Sequence, residues 1–262
     1  MGPLLAPAAL VAYIVGIFLV AVATYRKNAG ARTASTAALV LAWALHLAIL
    51  AHQGWAVGRF PLGNAAEYLV ALGWVVLTLH LLVTFRWNVA AAGFVLPPLA
   101  ALMTLPALWL PARHAGAEYE GKRFLFIFHT ATATAGMAVL ALAFAMSLIY
   151  LAQDRALKSK RAPALLRGLP SLATCDRIGL MAVLWGFPLL TLGIATGSVW
   201  SLDTHGRAWV GGAKQTFPIL AWIVFAALLY ARLVRGIGGR RSAWVAITGF
   251  GLGLLTILGM TL

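Results

Sequence analysis

Residues 124–152 read FLFIFHTATATAGMAVLALAFAMSLIYLA and contain no Asp, Glu, Lys or Arg. The hydrocarbon core of a bilayer is about 30 Å thick, and a helix of about 20 apolar residues crosses it because each residue adds about 1.5 Å. This stretch exceeds that length. It therefore predicts a membrane-spanning helix, with His129 near its start.

The rest of the chain has the same apolar character. Of its 262 residues, 62% are hydrophobic and 10% are charged, and the mean hydropathy is +0.91. Soluble domains carry about 25% charged residues, so this composition excludes a water-soluble enzyme. The apolar stretches are long and continuous rather than alternating over short segments. This pattern predicts an all-α integral membrane protein.

We predict a single transmembrane domain over residues 1–262 with eight membrane-spanning helices. Their expected positions are residues 4–24, 33–52, 64–85, 89–110, 124–152, 178–200, 216–235 and 243–262. Pro97, Pro98 and Pro106 predict a kink in the fourth span, which membrane helices tolerate when neighbouring helices satisfy the freed carbonyl groups. No basic residue precedes the first span, so we expect a retained helix rather than a cleaved signal peptide.

The charge distribution predicts the orientation. The chain carries 20 Lys and Arg against 6 Asp and Glu, a formal charge of +14. In a soluble protein this excess would suggest nucleic acid as a partner, but these cations lie in short loops between apolar spans and so indicate membrane orientation and contact with anionic lipid. The loops after the odd-numbered spans hold 14 of the 20, six of them in the basic loop 153–177. The positive-inside rule places these loops in the cytoplasm and both termini outside.

The sequence lacks the motifs of common enzymes. The lone Cys175 excludes a disulfide framework, a CxxC redox pair and the CxxCH motif that attaches haem covalently. No paired carboxylates, HExxH, GxSxG or phosphate-binding loop occur, so we do not expect an enzyme.

Two histidines lie inside the predicted spans at matching depth. By helical rise, His46 is about 9 Å and His129 about 7–8 Å below the outer surface, on different helices. Ionisable side chains within a membrane indicate function, and two facing imidazoles suit the axial positions of a haem iron. The alternative is that each ring hydrogen-bonds a neighbouring helix. His80, near the cytoplasmic end of the third span, is expected at the membrane interface.

Three segments carry a resemblance to a known family. They read GRFPLGNAAEYLVALGW (58–74), GFPLLTLGIATGSVW (186–200) and SLDTHGRAWVGGAKQTFPILAW (201–222). They resemble the CcsA/CcmC-type cytochrome c biogenesis proteins, above all the short HemX-like and YpjD-like members. The resemblance implies a multi-pass protein of the bacterial inner (cytoplasmic) membrane that holds b-type haem non-covalently near its outer face. It also implies haem, apocytochrome c or another haem-handling membrane protein as partners.

The same resemblance suggests which residues hold the haem. His129 corresponds to the external haem-ligating histidine of the family, and depth in the membrane suggests His46 as its partner on the iron. Segment 201–215 resembles a degenerate form of the family's tryptophan-rich "WWD" loop. Within it, His205 stands where the family has Trp, and it is either an alternative ligand or an exposed loop residue.

Further side chains are expected to surround the porphyrin. Trp200 and Trp209 are candidates to stack on it, although an aromatic belt at the membrane surface also explains them. Cations in the outer loops are candidates to pair with the propionate groups, with solvated loop charge as the alternative. These cations are Arg59, Lys122, Arg123, Arg207 and Lys214.

Two other classes of function remain open. A non-haem regulatory or assembly subunit of a membrane complex would keep the fold without the cofactor. A small-molecule transporter would need acidic groups at the membrane midplane, and the spans offer only Glu67, near the outer end of the third. A Soret absorption band in the purified protein distinguishes the haem protein from both.

Cysteine labelling in a Cys175→Ser background tests the predicted orientation. We expect His205→Cys to react with a membrane-impermeant thiol reagent on intact cells, because its loop lies outside. We expect Lys160→Cys to react only after the cells are opened. The opposite labelling pattern would reverse the orientation and move the outer histidines to the cytoplasmic face.

Overall fold

The computed structural model describes residues 2–87, 90–109, 123–159 and 169–257. Within these ranges the chain folds into helices joined by short connections, and no strand occurs among them. The α-helices are α1 (Gly2–Arg26), α2 (Ala29–Val57), α3 (Ala65–Trp87), α4 (Leu96–Thr104), α5 (Arg123–Lys158), α6 (Leu172–His205), α7 (Ala213–Leu233) and α8 (Arg240–Leu255). Two 3₁₀ helices, Ala90–Phe94 and Leu105–Leu108, flank α4.

The helices have the length and surface of a multi-pass membrane protein. Six of those described, α1, α2, α3, α5, α6 and α7, are long and apolar enough to cross a bilayer. Large apolar side chains lie on the outside of the bundle, among them Phe18 at 66%, Trp185 at 72% and Phe85 at 94% exposure. Such a surface would be unfavourable in water, and a bilayer covers it.

The fourth predicted span is not one kinked helix. Pro97 and Pro98 lie in the first turn of α4. The N–H groups of a first turn make no hydrogen bond within the helix, so proline is tolerated there and a new helix can begin. Pro106 lies in the 3₁₀ helix that follows. The apolar helical segment is Ala92–Leu108, which is shorter than the roughly 20 residues of a full crossing.

The eighth predicted span, residues 243–262, is described only in part. Its helix α8 has 16 residues and begins with Arg240 and Arg241, so it is not among the six long apolar helices. Residues 258–262 lie outside the described part of the chain. Six membrane-spanning helices are therefore supported, where the sequence predicted eight.

The basic loop expected at 153–177 is shorter than predicted. Helix α5 continues to Lys158, and Lys158 pairs with Asp154 one turn earlier at 2.8 Å. Helix α6 begins at Leu172, because the Ser171 hydroxyl caps it by accepting a hydrogen bond from the Thr174 N–H. Residues 160–168 of this loop lie outside the described ranges.

Helix α5 is the centre of the bundle. In the most apolar stretch of this helix 61% is buried inside the protein, against 17–44% in the corresponding stretches of the other five long helices. It packs most extensively on α6 and also contacts α3 and α8. Helices α1 to α4 pack on one another, and α3 joins that group to α5. The position of α5 therefore determines how the two parts of the molecule meet.

Glycines bring α5 and α6 into close contact. A Cβ atom added at Gly136 of α5 would lie 2.9 Å from the Leu190 backbone nitrogen. A Cβ added at Gly193 of α6 would lie 3.0 Å from the Ala133 Cα. Backbone atoms cannot move aside as a flexible side chain can, so these positions require glycine. Small residues at such interfaces strengthen the van der Waals contact between membrane helices.

Substitution at Gly193 tests this close approach. We expect Gly193→Ala to destabilise the protein by about 1–3 kcal/mol, because the added methyl group would force α5 and α6 apart. The measurement is the thermal unfolding temperature in a mild detergent. Gly251→Ala is the matched control, since a Cβ at Gly251 meets nothing within 4 Å. Equal unfolding temperatures for the two variants would contradict the close packing.

Candidate functional site

A cavity of about 420 Å³ lies at the end of the bundle where α5 begins and α6 ends. Its walls come from α3, α5, α6, α7 and α8, and the loop Gly206–Gly212 adjoins it. This volume is within the range of small-molecule sites, about 300–1,000 Å³. The fold therefore places one ligand-sized space next to His129.

The His129 ring lies directly on α6. A Cβ added at Gly197 would lie 2.6 Å from His129 Cε1 and 2.9 Å from Nδ1, so the ring rests against the glycine backbone. The Nδ1–H group donates a hydrogen bond of 2.8 Å to the Gly193 carbonyl oxygen. A carbonyl only accepts, so the proton is on Nδ1 and the lone pair is on Nε2. Metal-binding histidines commonly have this arrangement.

His205 and Trp200 line the same cavity. His205 is the last residue of α6, two turns beyond Gly197. Its ring meets the Trp200 ring edge-on, with 5.9 Å between the centroids. On Trp200, the Lys214 Nζ atom lies 5.9 Å from the ring centroid, within the range of a cation–π contact. An imidazole, an indole ring and an ammonium group thus come together at one end of the cavity.

Gln215 organises the loop beside the cavity. Its Oε1 atom accepts hydrogen bonds from the N–H groups of Val210 (2.7 Å) and Gly211 (2.8 Å). Gly211 and Gly212 have φ of +86° and +84°, which other L-residues rarely adopt. The backbone of this loop therefore depends on glycine at both positions.

The segment expected as a loop over 201–215 is shorter in the structure. Helix α6 includes residues up to His205, and α7 begins at Ala213. Only the Gly206–Gly212 loop is outside a helix. Trp209 belongs to this loop, is 51% exposed and lines the cavity.

The predicted propionate partners lie in different places. Among those whose side chains the structure describes, Lys214 lines the cavity, whereas Arg59 and Arg207 do not. Arg207 contributes a backbone carbonyl, which accepts a hydrogen bond from the Ser201 hydroxyl at 2.9 Å. Lys122 and the side chain of Arg123 lie outside the described part of the protein.

Arg59 pairs with Glu67 at the start of α3. Their Nη1 and Oε2 atoms are 2.8 Å apart, and Glu67 is only 2% exposed. The Glu67 N–H donates to Asn64 Oδ1, and the side-chain Nδ2–H of Asn64 donates to Glu67 Oε1, both at 2.9 Å. Asn64 thus caps the start of the helix through its side-chain oxygen. The conspicuous Asn–Glu motif at 64–67 therefore begins a helix, and Glu67 is not a carboxylate at the membrane midplane.

His46 does not line this cavity. It is completely buried, and its Nε2–H donates to the Val70 carbonyl oxygen at 2.9 Å. The Tyr13 hydroxyl donates to Nδ1 at 2.9 Å, and the Thr104 hydroxyl lies 3.3 Å from the same atom. Both ring nitrogens are engaged, and the ring links α1, α2, α3 and α4. His46 therefore hydrogen-bonds neighbouring helices, which was the alternative to haem ligation in the sequence analysis.

The structure thus brings together only part of the predicted site. The predicted residues that share the cavity are His129, His205, Trp200, Trp209 and Lys214. The sequence interpretation missed Gly193 and Gly197, which hold the His129 ring. Their signal was the small-xxx-small spacing in the segment GIATG, which is typical of close helix contacts in membranes.

Comparison with known proteins identifies a family. A model of the cytochrome c assembly protein family matches residues 62–262. The chain is 27% identical over 222 residues to the cytochrome c biogenesis protein CcsA of Guillardia theta, covering 78% of this chain and 74% of that protein. It is 43% identical over 89 residues to the CcsA protein of Synechococcus elongatus, covering 34% of this chain and 27% of the relative. With the CcsA protein of Nostoc punctiforme the identity is 44% over 89 residues, covering 34% of this chain and 25% of the relative.

The fold and the cavity define a multi-pass membrane protein with histidines at one end of a helical bundle. The chain belongs to the cytochrome c assembly protein family. This confirms the resemblance inferred from the three quoted segments. Against the Synechococcus and Nostoc proteins the chain aligns with about a quarter of their length.

The hydrogen bonds of His46 can be tested through Tyr13. We expect Tyr13→Phe to lower the stability by about 1–2 kcal/mol, because it removes the donor to a buried Nδ1. Thermal unfolding in mild detergent measures the effect. Tyr25→Phe is the control, because Tyr25 is on the same helix and is 54% exposed. An unchanged unfolding temperature for Tyr13→Phe would show that His46 does not depend on this bond.

Proposed function

We propose that this protein binds b-type haem non-covalently and serves cytochrome c biogenesis. Its side chains would bind and present the cofactor rather than catalyse a reaction. The observation that carries this proposal is the state of His129, whose Nδ1–H is held by Gly193 while the ring lines a ligand-sized cavity. Membership of the cytochrome c assembly protein family supports it.

The residues present in the cavity fit a haem. An iron ligand needs an unprotonated ring nitrogen, and the hydrogen bond to Gly193 leaves Nε2 of His129 in that state. When bound, the haem would supply the iron and the porphyrin that are passed on or stored. Much of the wall is apolar, including Phe126, Leu190 and Ile194, which suits a largely apolar ring system.

His205 would be the second residue to bind the haem iron in this proposal. It lines the cavity with His129, whereas both nitrogens of His46 are already hydrogen-bonded within the protein. Ligation by His46 would require breaking its bonds to Tyr13 and Val70 in a buried environment, which is unfavourable. The pair His46–His129 suggested by depth in the membrane is therefore the competing assignment.

Neighbouring side chains support the same arrangement. Trp200 and Trp209 would pack against the porphyrin, since both line the cavity. Lys214 would pair with a propionate group, because an ammonium in a partly dry site attracts a carboxylate. Arg59 has a different role in the proposal, because its partner is Glu67.

We further propose that the protein is in a bacterial inner membrane with this cavity at the outer face. The excess of basic residues in the loops that follow the odd-numbered predicted spans supports that orientation through the positive-inside rule. In this proposal both termini lie outside, which requires that α8 and the segment Ala92–Leu108, although they are short, also pass through the membrane. Apocytochrome c or another haem-handling membrane protein would meet the cavity from outside.

Absorption spectroscopy of the full chain purified in mild detergent tests the haem proposal. We expect a Soret band and a low-spin, six-coordinate ferric spectrum, because two imidazole ligands would give the iron a strong ligand field. His129→Ala or His205→Ala would open one position, giving a high-spin shift and carbon monoxide binding to the ferrous form. His52→Ala is the matched control, since His52 is an exposed histidine near the C-terminal end of α2 and does not line the cavity.

Two further variants separate the competing assignments. We expect Gly197→Ala to perturb the same spectrum, because its methyl group would lie 2.6 Å from His129 Cε1. His46→Gln is expected to keep the low-spin spectrum and to lower only the stability. A high-spin shift with His46→Gln but not with His205→Ala would favour the pair His46–His129. A folded chain that never holds haem would instead support a non-haem assembly subunit.

A further inference from the structure

A second cavity lies at the opposite end of the bundle. It has a volume of about 500 Å³ and is lined by the end of α1, the start of α2 and the last third of α3. Tyr68 of α3 lines the His129 cavity, while His80 and Thr84 of the same helix line this one. The two sites are therefore separated by about 18 Å of helix rise.

Two buried polar atoms in this cavity have no partner within the protein. They are Nδ1 of His80, a residue that is 3% exposed, and Oγ1 of Thr84. The two residues are one turn apart, so they lie on one face of α3. Leaving buried polar atoms without hydrogen bonds is unfavourable, and each such atom requires an explanation.

The other hydroxyl groups in the same wall do have partners. Thr24 donates to the Val20 carbonyl oxygen at 2.8 Å, and Thr36 donates to that of Arg32 at 3.1 Å. Ser35 donates to the Gly16 carbonyl oxygen at 3.0 Å. The missing partners are therefore confined to the His80–Thr84 face, which points to a ligand there rather than to a loosely packed region.

The charges around this cavity favour an anion. Lys27 and Arg32 line it, and no acidic side chain is among the lining residues that the structure describes. Val20, Leu39 and Leu81 supply apolar walls. Phe85 also lines the cavity and is 94% exposed on the outside of a membrane-spanning helix, so the cavity reaches the surface that faces lipid.

We propose that this second cavity binds an anionic phospholipid. The headgroup phosphate lies between Lys27, Arg32 and the His80–Thr84 face, where cations and hydrogen-bond donors meet it. An acyl chain runs along Leu81 and Phe85 into the surrounding bilayer. Basic pockets between membrane helices bind acidic lipid headgroups in this manner. The site is independent of the haem proposal, because it shares no lining residue with the His129 cavity.

Native mass spectrometry of the delipidated full chain, titrated with phosphatidylglycerol, tests this proposal. We expect saturable binding that weakens roughly tenfold or more in the double variant Lys27→Gln/Arg32→Gln, because two charge-assisted contacts are lost. Arg235→Gln/Arg241→Gln is the matched control, since it removes two exposed cations at the same end, one in the α7–α8 connection and one in the first turn of α8. An equal loss of lipid affinity in both double variants would show that the lipid is attracted by overall charge, and it would overturn the proposed site.

Thr84→Val separates binding from folding. It removes an unpartnered hydroxyl at nearly constant shape, so we expect weaker lipid binding and no loss of thermal stability without lipid. Added phosphatidylglycerol should raise the unfolding temperature of the wild type more than that of this variant. Unchanged lipid affinity in Thr84→Val would overturn the proposed headgroup position.

Two further titrations identify the source of the phosphate. Phosphatidylcholine should bind more weakly than phosphatidylglycerol, because its headgroup has no net charge. Glycerol 3-phosphate at equal concentration should not displace the lipid, since it lacks the acyl chain. Equal binding of phosphatidylcholine, or displacement by glycerol 3-phosphate, would overturn the assignment to an anionic lipid. Loss of lipid binding should leave any haem spectrum unchanged.

Discussion

The close approach of α5 to α6 is the constraint on which the candidate site depends. Gly193 and Gly197 present bare backbone to α5, so the His129 ring can lie on one glycine and bond the carbonyl of the other. A side chain at Gly193 would separate the helices, and a side chain at Gly197 would displace the His129 ring. On another face of α5, Met137 approaches α8 so closely that a Cβ at Gly253 would lie 2.7 Å from its Cε. The central helix thus has close neighbours on two sides, and on the α6 side the contact is with backbone atoms and requires glycine. This contact fixes the wall of the cavity that carries His129.

The two histidines at matching depth illustrate why depth alone does not identify a ligand. His46 has both nitrogens hydrogen-bonded and joins four helices, which is a structural role for a buried imidazole. His129 has one nitrogen engaged by Gly193 and lines a cavity. The number of partners at each ring nitrogen distinguishes them, because a ring with both nitrogens engaged must lose a hydrogen bond before it binds a metal.

The molecule carries sites of different character at its two ends. The His129 cavity combines imidazole and indole rings with a single lysine from the first turn of α7. The opposite cavity combines two cations with two unpartnered polar atoms and opens beside Phe85. Helix α3 contributes to both, and the hydrogen bonds between Asn64 and Glu67 fix where that helix begins. The start of α3 therefore sets the register of residues that face each cavity.

The sequence by itself determined the class of the protein, its family and the positions of its long helices to within six residues at each end. This follows because hydropathy is local, and because a membrane helix satisfies its backbone hydrogen bonds within its own segment. The tertiary structure decided that the fourth segment is broken, which residues bond His46, and which residues line the cavity with His129. Tyr13 and Thr104 are 33 and 58 residues away from His46 in the chain. Whether an imidazole is engaged or available depends on such distant contacts, which no local pattern of residues contains.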